Sequence, residues 1–267
     1  MSRGSRREVA MTRSSSKLLF LVILPALAFG LTERAAFAQG GPPMLTDDPG
    51  TPGNRHWEIN TAFTMEKSII GKDLETPLLD VNYGLRERIQ LKLEFPYHVV
   101  TENGEKTKSG LGSYLVGAKW RFIDRKKHHG FSMSMYPQFE YKTSSSIRRG
   151  INDRGNELLL PVEVVQRFGP LDVNLEGGFR FQQRDKNGLL YGILVGHNVS
   201  KRLELLAEIH GEPNRDFRKD NLVLNFGARY KLSKHYTFLF SSGRSLRPST
   251  QEGALNLVLY AGLRFAY

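Results

Sequence analysis

Seven histidines and a series of charged residues spaced two apart are the parts of this 267-residue chain that could do chemistry. There is no cysteine, which excludes thiolate nucleophiles, thiolate zinc sites and disulfides. The histidines stand at 56, 98, 128, 129, 197, 210 and 235, and an imidazole near a serine could activate it as a nucleophile. No GxSxG elbow presents such a serine. His128-His129 falls in a basic stretch where a solvated pair is the ordinary reading, while His98 and His210 share a face with charged neighbours. Catalysis is therefore the lesser reading, and neither a cofactor nor a metal is expected.

The charged residues form a more regular set. Lys92, Lys119, Arg121, Lys142, Arg167, Arg180, Arg229, Lys231 and Arg264 fall on the polar side of alternating runs. So do Glu58, Glu66, Asp80, Glu94, Glu140, Glu163, Asp172, Glu176, Glu204 and Glu208. The two signs are close to balance, and isolated charges in a confined space are costly to desolvate. Cross-strand ion pairs with water between them are the expected arrangement.

What must position them is a run of β-strands. Trp57, Ile59, Phe63 and Met65 alternate with Glu58, Asn60, Thr64 and Glu66, and Ile89, Leu91, Leu93, Phe95, Tyr97 and Val99 alternate with Gln90, Lys92, Glu94 and His98. A period of two marks strands with one apolar and one polar face. About twelve are expected, near 57–67, 75–84, 89–101, 111–124, 130–142, 157–168, 171–184, 189–199, 203–210, 221–232, 236–245 and 254–267. Short turns, as at 85–88, 169–170 and 233–235, alternate with longer Gly-, Asn- and Ser-rich connections, with DKNG at 185–188 the exception. Aromatic residues such as Trp57, Tyr97, Trp120, Tyr141, Phe168, Tyr230 and Tyr236 fall towards strand ends on the apolar face. Together these features predict an all-β, antiparallel, up-and-down transmembrane β-barrel in a bacterial outer membrane, with both mature termini in the periplasm. The lumen-lining set is expected to be Glu58, Asp80, Lys92, Glu94, Lys119, Arg121, Glu140, Glu163, Arg167, Glu176, Arg180, Glu204, Glu208, Arg229 and Arg264. Twelve strands lie between barrels filled by side chains and open porins, so a constricted, hydrated passage for a small-molecule solute is expected.

Residues 1–38 carry a basic start, the apolar run from Leu18 to Leu31 and Ala36-Phe37-Ala38, which reads as a signal peptide cleaved after Ala38. Pro25 and the short length argue against a spanning helix. The net charge of +11 suggests nucleic acid at first sight, but basic residues alternate with acids instead of forming one stripe, so no nucleic acid partner is expected. Basic turns on the periplasmic rim would meet the headgroups of outer-membrane lipids. Residues 39–56, with Pro42, Pro43, Pro49 and Pro52 among their glycines, cannot build a strand or helix of any length. They are either a disordered periplasmic leader, the preferred reading, or a small lumen plug with Asp47 and Asp48 on basic wall residues; 57–267 is the barrel.

The segments PPMLTDDPGTPG, HWEINTAF, LLDVNYGLRERIQLKLEFPY, GLGSYLVGAKWRF, LLPVEVVQRFGP, LVLNFGARYKLS and LYAGLRF resemble the outer-membrane transporter family labelled for the meta pathway of phenol degradation. The resemblance implies a barrel channel for passive uptake of hydrophobic or aromatic molecules. A terminal strand ending on Tyr267 is similar to the signal read by the barrel-assembly machinery, implying that partner. A structural or adhesive barrel without conductance is the alternative, and a barrel hydrolase a more distant one.

Overall fold

A computed structural model describes residues 41–124, 128–213, 221–248 and 254–267. The expected signal peptide lies outside the described residues. Fourteen β-segments form one antiparallel sheet, and because β1 (Trp57–Lys67) pairs with β14 (Leu257–Ala266), the sheet closes on itself. The segments make a twelve-strand barrel. Single strands are β2 (Gly71–Leu85), β3 (Ile89–Glu102), β8 (Glu157–Phe168), β9 (Leu171–Gln182), β10 (Gly188–Asn198), β11 (Leu203–Gly211), β12 (Val223–Lys231) and β13 (Tyr236–Ser245). Two strands are interrupted. β4 (Lys108–Leu111) and β5 (Tyr114–Ile123) both pair with β3, and β6 (Ser132–Met135) and β7 (Gln138–Tyr141) both pair with β5 and β8. Among the described residues the one short helix, α1 (Ser144–Arg148), lies in the β7–β8 connection, capped by the Thr143 hydroxyl accepting from the Ser146 amide at 3.0 Å.

Alternation partitions the side chains as the period of two requires. Leu91, Leu93, Leu175, Ile193, Phe226 and Leu263 point away from the barrel and stay exposed, whereas Asp80, Lys119, Glu163, Asp172, Glu208 and Arg229 point inward and are buried. Large apolar side chains on the outside and ionised ones on the inside invert the order found in a water-soluble protein. Such a wall is stable only when the outside solvent is lipid. Aromatic rings mark the turn end of this face, where Trp57 lies 4.6 Å from Tyr83 and Tyr236 5.3 Å from Phe265, centroid to centroid.

The alternation shifts parity at irregularities, one of them between Arg121 and Ile123 in β5, and two others bear on the inward set. Between Glu75 and Leu78 in β2 an irregularity puts two residues between successive inward positions, so Asp73 and Glu75 face inward along with Leu78 and Asp80. At the Gly112-Ser113 break between β4 and β5 the outward positions Leu111 and Tyr114 are likewise three apart. Strict alternation back from Asp80 therefore misses Asp73 and Glu75. The β1–β2 connection, 68–70, is a second short one at the loop end beside the expected 185–188.

Candidate functional site

Among the described residues the barrel interior gathers the buried polar groups, and its wall residues are organised around the chain that precedes β1. From Gly41 to Gly50 that segment lies inside the barrel, with Met44, Thr46 and Asp48 buried. It is held first by its own turn, in which the Gly41 amide donates to the Thr46 carbonyl at 2.8 Å and the Met44 amide to the Gly41 carbonyl at 3.0 Å. The prolines at 42, 43 and 49 leave fewer backbone N–H groups to satisfy.

The remaining backbone groups are met by charge of the matching sign. The amides of Leu45 and Thr46 donate to the two oxygens of the Glu208 carboxylate at 2.9 and 2.8 Å, and the Asp47 amide donates to Glu176 at 3.2 Å. On the opposite sign, Arg229 donates to the carbonyls of Pro42 at 3.0 Å and Gly41 at 2.8 Å, while Arg264 donates to Pro42 at 3.0 Å. The Ser241 hydroxyl donates to the Pro43 carbonyl at 2.7 Å. Hydrogen bonds with one ionised partner are roughly twice as strong as neutral ones. They satisfy a buried irregular segment that has no ladder of its own.

Lys119 is the centre of the opposite wall. It is 1 % exposed, and its ammonium donates to Asp47 Oδ1 at 2.9 Å and to the Asp48 carbonyl, lies 3.3 Å from Glu163 Oε2 and sits 4.4 Å from the centroid of the Tyr136 ring. The Ser134 hydroxyl donates to the same Glu163 oxygen at 2.6 Å. Burial alone would raise the pKa of Asp47, but Lys119, with Lys92 behind it, overcomes that and leaves the carboxyl below its ordinary value.

Of the sequence-predicted set, Lys119, Glu176, Glu208, Arg229 and Arg264 touch the inner segment directly. Glu163, Glu204 and Glu58 stand behind them, the last two on Arg229 at 3.3 Å and on Arg264 at 3.2 Å. Asp80, Lys92 and Glu94 form an adjoining cluster, with Lys92 2.8 Å from Glu94 and 3.7 Å from Asp80. The other four lie apart from the segment. Arg121 pairs with Asp124 at 3.3 Å, Arg167 grips Asp172 with two hydrogen bonds of 2.8 and 2.7 Å, and Arg180 bridges Glu157 and Glu212. Glu140 sits half-buried in β7 opposite Glu157.

Other contributors were not visible in the charge pattern. Met44 packs on Leu194 and Leu206, an apolar seat on the inner wall. Ala62, Leu78, Leu239 and Tyr260 form a second inward apolar cluster. A Cβ at Gly192 would overlap the Thr46 side chain, and one at Gly227 would overlap Met44 Sδ. These glycines are spaces cut for the segment, and only a contact map could reveal them. Neutral amides also matter, since Asn225 donates to Glu208 at 2.9 Å and Asn60 to Asp80 at 3.0 Å.

The two inward histidines are occupied structurally. His98 contacts Asp73 at 2.9 Å, and His210 contacts Glu212 at 3.2 Å with Thr46 Oγ1 at 3.5 Å, the outer limit of a hydrogen bond. Thr46 is fully buried, so its hydroxyl seats the segment and offers a substrate no approach. Among the described residues no group of three or more His, Asp or Glu could hold a metal ion. Between the segment and the turn end lies a cavity of about 950 Å³, with Arg55, Arg202, Lys231 and Lys234 in its lining.

No family model matches the chain, and no curated protein sequence matches it. Solved structures do. The COG4313 outer membrane channel from Pseudomonas putida F1 matches with a TM-score of 0.69 at 11% identity, over 86% of this chain and 100% of that one. The KdgM porin in complex with disordered oligogalacturonate has a TM-score of 0.56 at 12% identity, over 79% and 99%. The NanC porin follows at 0.55 and 11% identity, over 78% and 98%. At such identities the likeness is one of fold, and the fold is the closed barrel of the bacterial outer membrane.

Proposed function

We propose that this protein is a passive outer-membrane channel for small solutes, occluded in the described state by residues 41–50 acting as a lumen plug. The observation that carries the reading is the pairing of that segment's amides with Glu208 and Glu176 and of its carbonyls with Arg229 and Arg264. A wall that only cemented a closed barrel has no need to match a separate segment group by group. The barrel likeness to porins and channels supports the same reading. The turn end, with its basic turns, faces the periplasm, and the terminal strand through Tyr267 serves as the handle for barrel assembly.

For the solute, we infer a small molecule with at least one polar group. The sequence resemblance supports aromatic compounds, and a phenol or an aromatic acid would satisfy both the resemblance and a wall dominated by ionised and amide side chains. The test is planar-bilayer conductance and liposome swelling with the full chain and with a variant lacking 41–50, using phenol, benzoate and a neutral sugar. A large rise in conductance on deletion is expected. Equal, negligible conductance in both chains would favour a structural barrel and refute the proposal.

A further inference from the structure

The cavity at the turn end is unusual in its charge. Among side chains, eight lysines and arginines line it against four carboxylates, an excess of four positive side-chain charges around about 950 Å³. Four of the cations, Arg55, Arg202, Lys231 and Lys234, make no ion pair with a described carboxylate. Concentrating like charge around a concavity raises the potential inside it and costs stability unless something negative enters. A wall built only to stay closed would have balanced these groups, as the Lys92–Asp80–Glu94 cluster next to it does.

The roof of the cavity is the inner segment itself, since Gly41, Pro42, Asp47 and Asp48 line it. Two of its anchors divide their donors between a wall carboxylate, Glu204 for Arg229 and Glu58 for Arg264, and the segment. Arg229 and Arg264 spend donors on the backbone carbonyls of Gly41 and Pro42, which are neutral acceptors. A carboxylate or phosphate oxygen is the stronger partner for a guanidinium, and its two oxygens fit the planar fork bidentately.

We propose that this vestibule binds a small multivalent anion, of the carboxylate or phosphate-ester class, and that the bound anion competes with the Gly41 and Pro42 carbonyls for Arg229 and Arg264 and so loosens the plug. The proposal rests on the plug reading above and adds its ligand and its release. An anion entering from the turn end first meets Lys231, Lys234 and Arg202, then the two arginines, and its charge takes over donors that hold the segment. The contacts to Glu208 and Glu176 lie on the far side of the segment and gain nothing from the anion.

Isothermal titration of citrate into the detergent-folded full chain tests the site, with dihexanoyl phosphatidylglycerol as the lipid arm. The Kd for citrate is expected to rise at least tenfold in a Lys231→Gln, Lys234→Gln double variant and to weaken with added salt. Equal affinity in both proteins, or heat from the lipid without heat from citrate, overturns the site and assigns the cations to the membrane surface. Release is read separately. Because the chain has no cysteine, Thr46→Cys reports exposure of the segment by its rate of maleimide labelling. Saturating citrate should accelerate labelling about tenfold, and should not do so when the double variant is added. Citrate binding without acceleration overturns the competition. Neither readout needs conductance, so a barrel that binds citrate yet never conducts refutes the channel reading while leaving this site in place.

Discussion

The Asp47 carboxylate and the Lys119 ammonium meet at 2.9 Å inside the barrel, 72 residues apart in the chain. On the other side of the same ammonium stands Glu163, fully buried, at 3.3 Å. One cation thus serves a wall carboxylate and the inner segment together, which ties the integrity of the barrel to the position of that segment.

Removing that cation leaves a buried carboxylate without its partner. Lys119→Met is expected to destabilise the folded barrel by about 3–5 kcal/mol, the usual cost of breaking a buried pair from one side. Adding Glu163→Gln should restore a substantial part of the loss. Urea unfolding in lipid vesicles checks both, and an additive double variant would contradict the shared role.

The Asp47–Lys119 contact should be insensitive to pH over the physiological range. Asp47 is held below its ordinary value, so its contribution is complete above the ordinary carboxylate range and is lost only as pH falls through the lowered value. Protection of residues 41–50 from protease, so far as it depends on this contact, is therefore expected to fail only below about pH 4. A midpoint within the physiological range in the protease assay would contradict the assignment to Asp47.

Gly192 offers a way to evict the segment without touching a charge. The three atoms nearest its Cβ position all belong to the Thr46 side chain, and β-branched residues suit a strand. Gly192→Val is expected to leave barrel folding intact, as judged by heat-modifiable gel migration, while raising conductance and Thr46→Cys labelling several-fold. Normal folding with unchanged labelling would mean that the segment accommodates the methyl groups and does not depend on this seat.

The outer face has its own test. Ile193 is 51% exposed in the middle of β10 and its neighbour Leu194 is buried against Met44. Ile193→Arg should cost about 2–4 kcal/mol of stability in a bilayer, the penalty for a charge at mid-depth on the lipid side of a barrel. A negligible cost would mean that water, not lipid, bathes this face.

The period of two carried most of the architecture because side-chain direction in a strand is a local property, set by the pleat one residue at a time. Trp57 to Glu66 or Ile89 to Val99 state their two faces without reference to anything distant, and the lumen charges Lys119, Glu163, Glu208 and Arg229 follow from parity alone. Where a bulge shifts parity, as between Glu75 and Leu78, the local rule fails and Asp73 and Glu75 are missed. The place of residues 41–50 was decided by tertiary structure, since their composition states only that they form no strand or helix. Their amides reach Glu208 across 162 and 163 residues of chain, and Gly192 and Gly227 acquire meaning only once Thr46 and Met44 occupy the space beside them. Such long-range complementarity leaves no periodic trace, because each half of the contact is an ordinary residue in its own strand or loop.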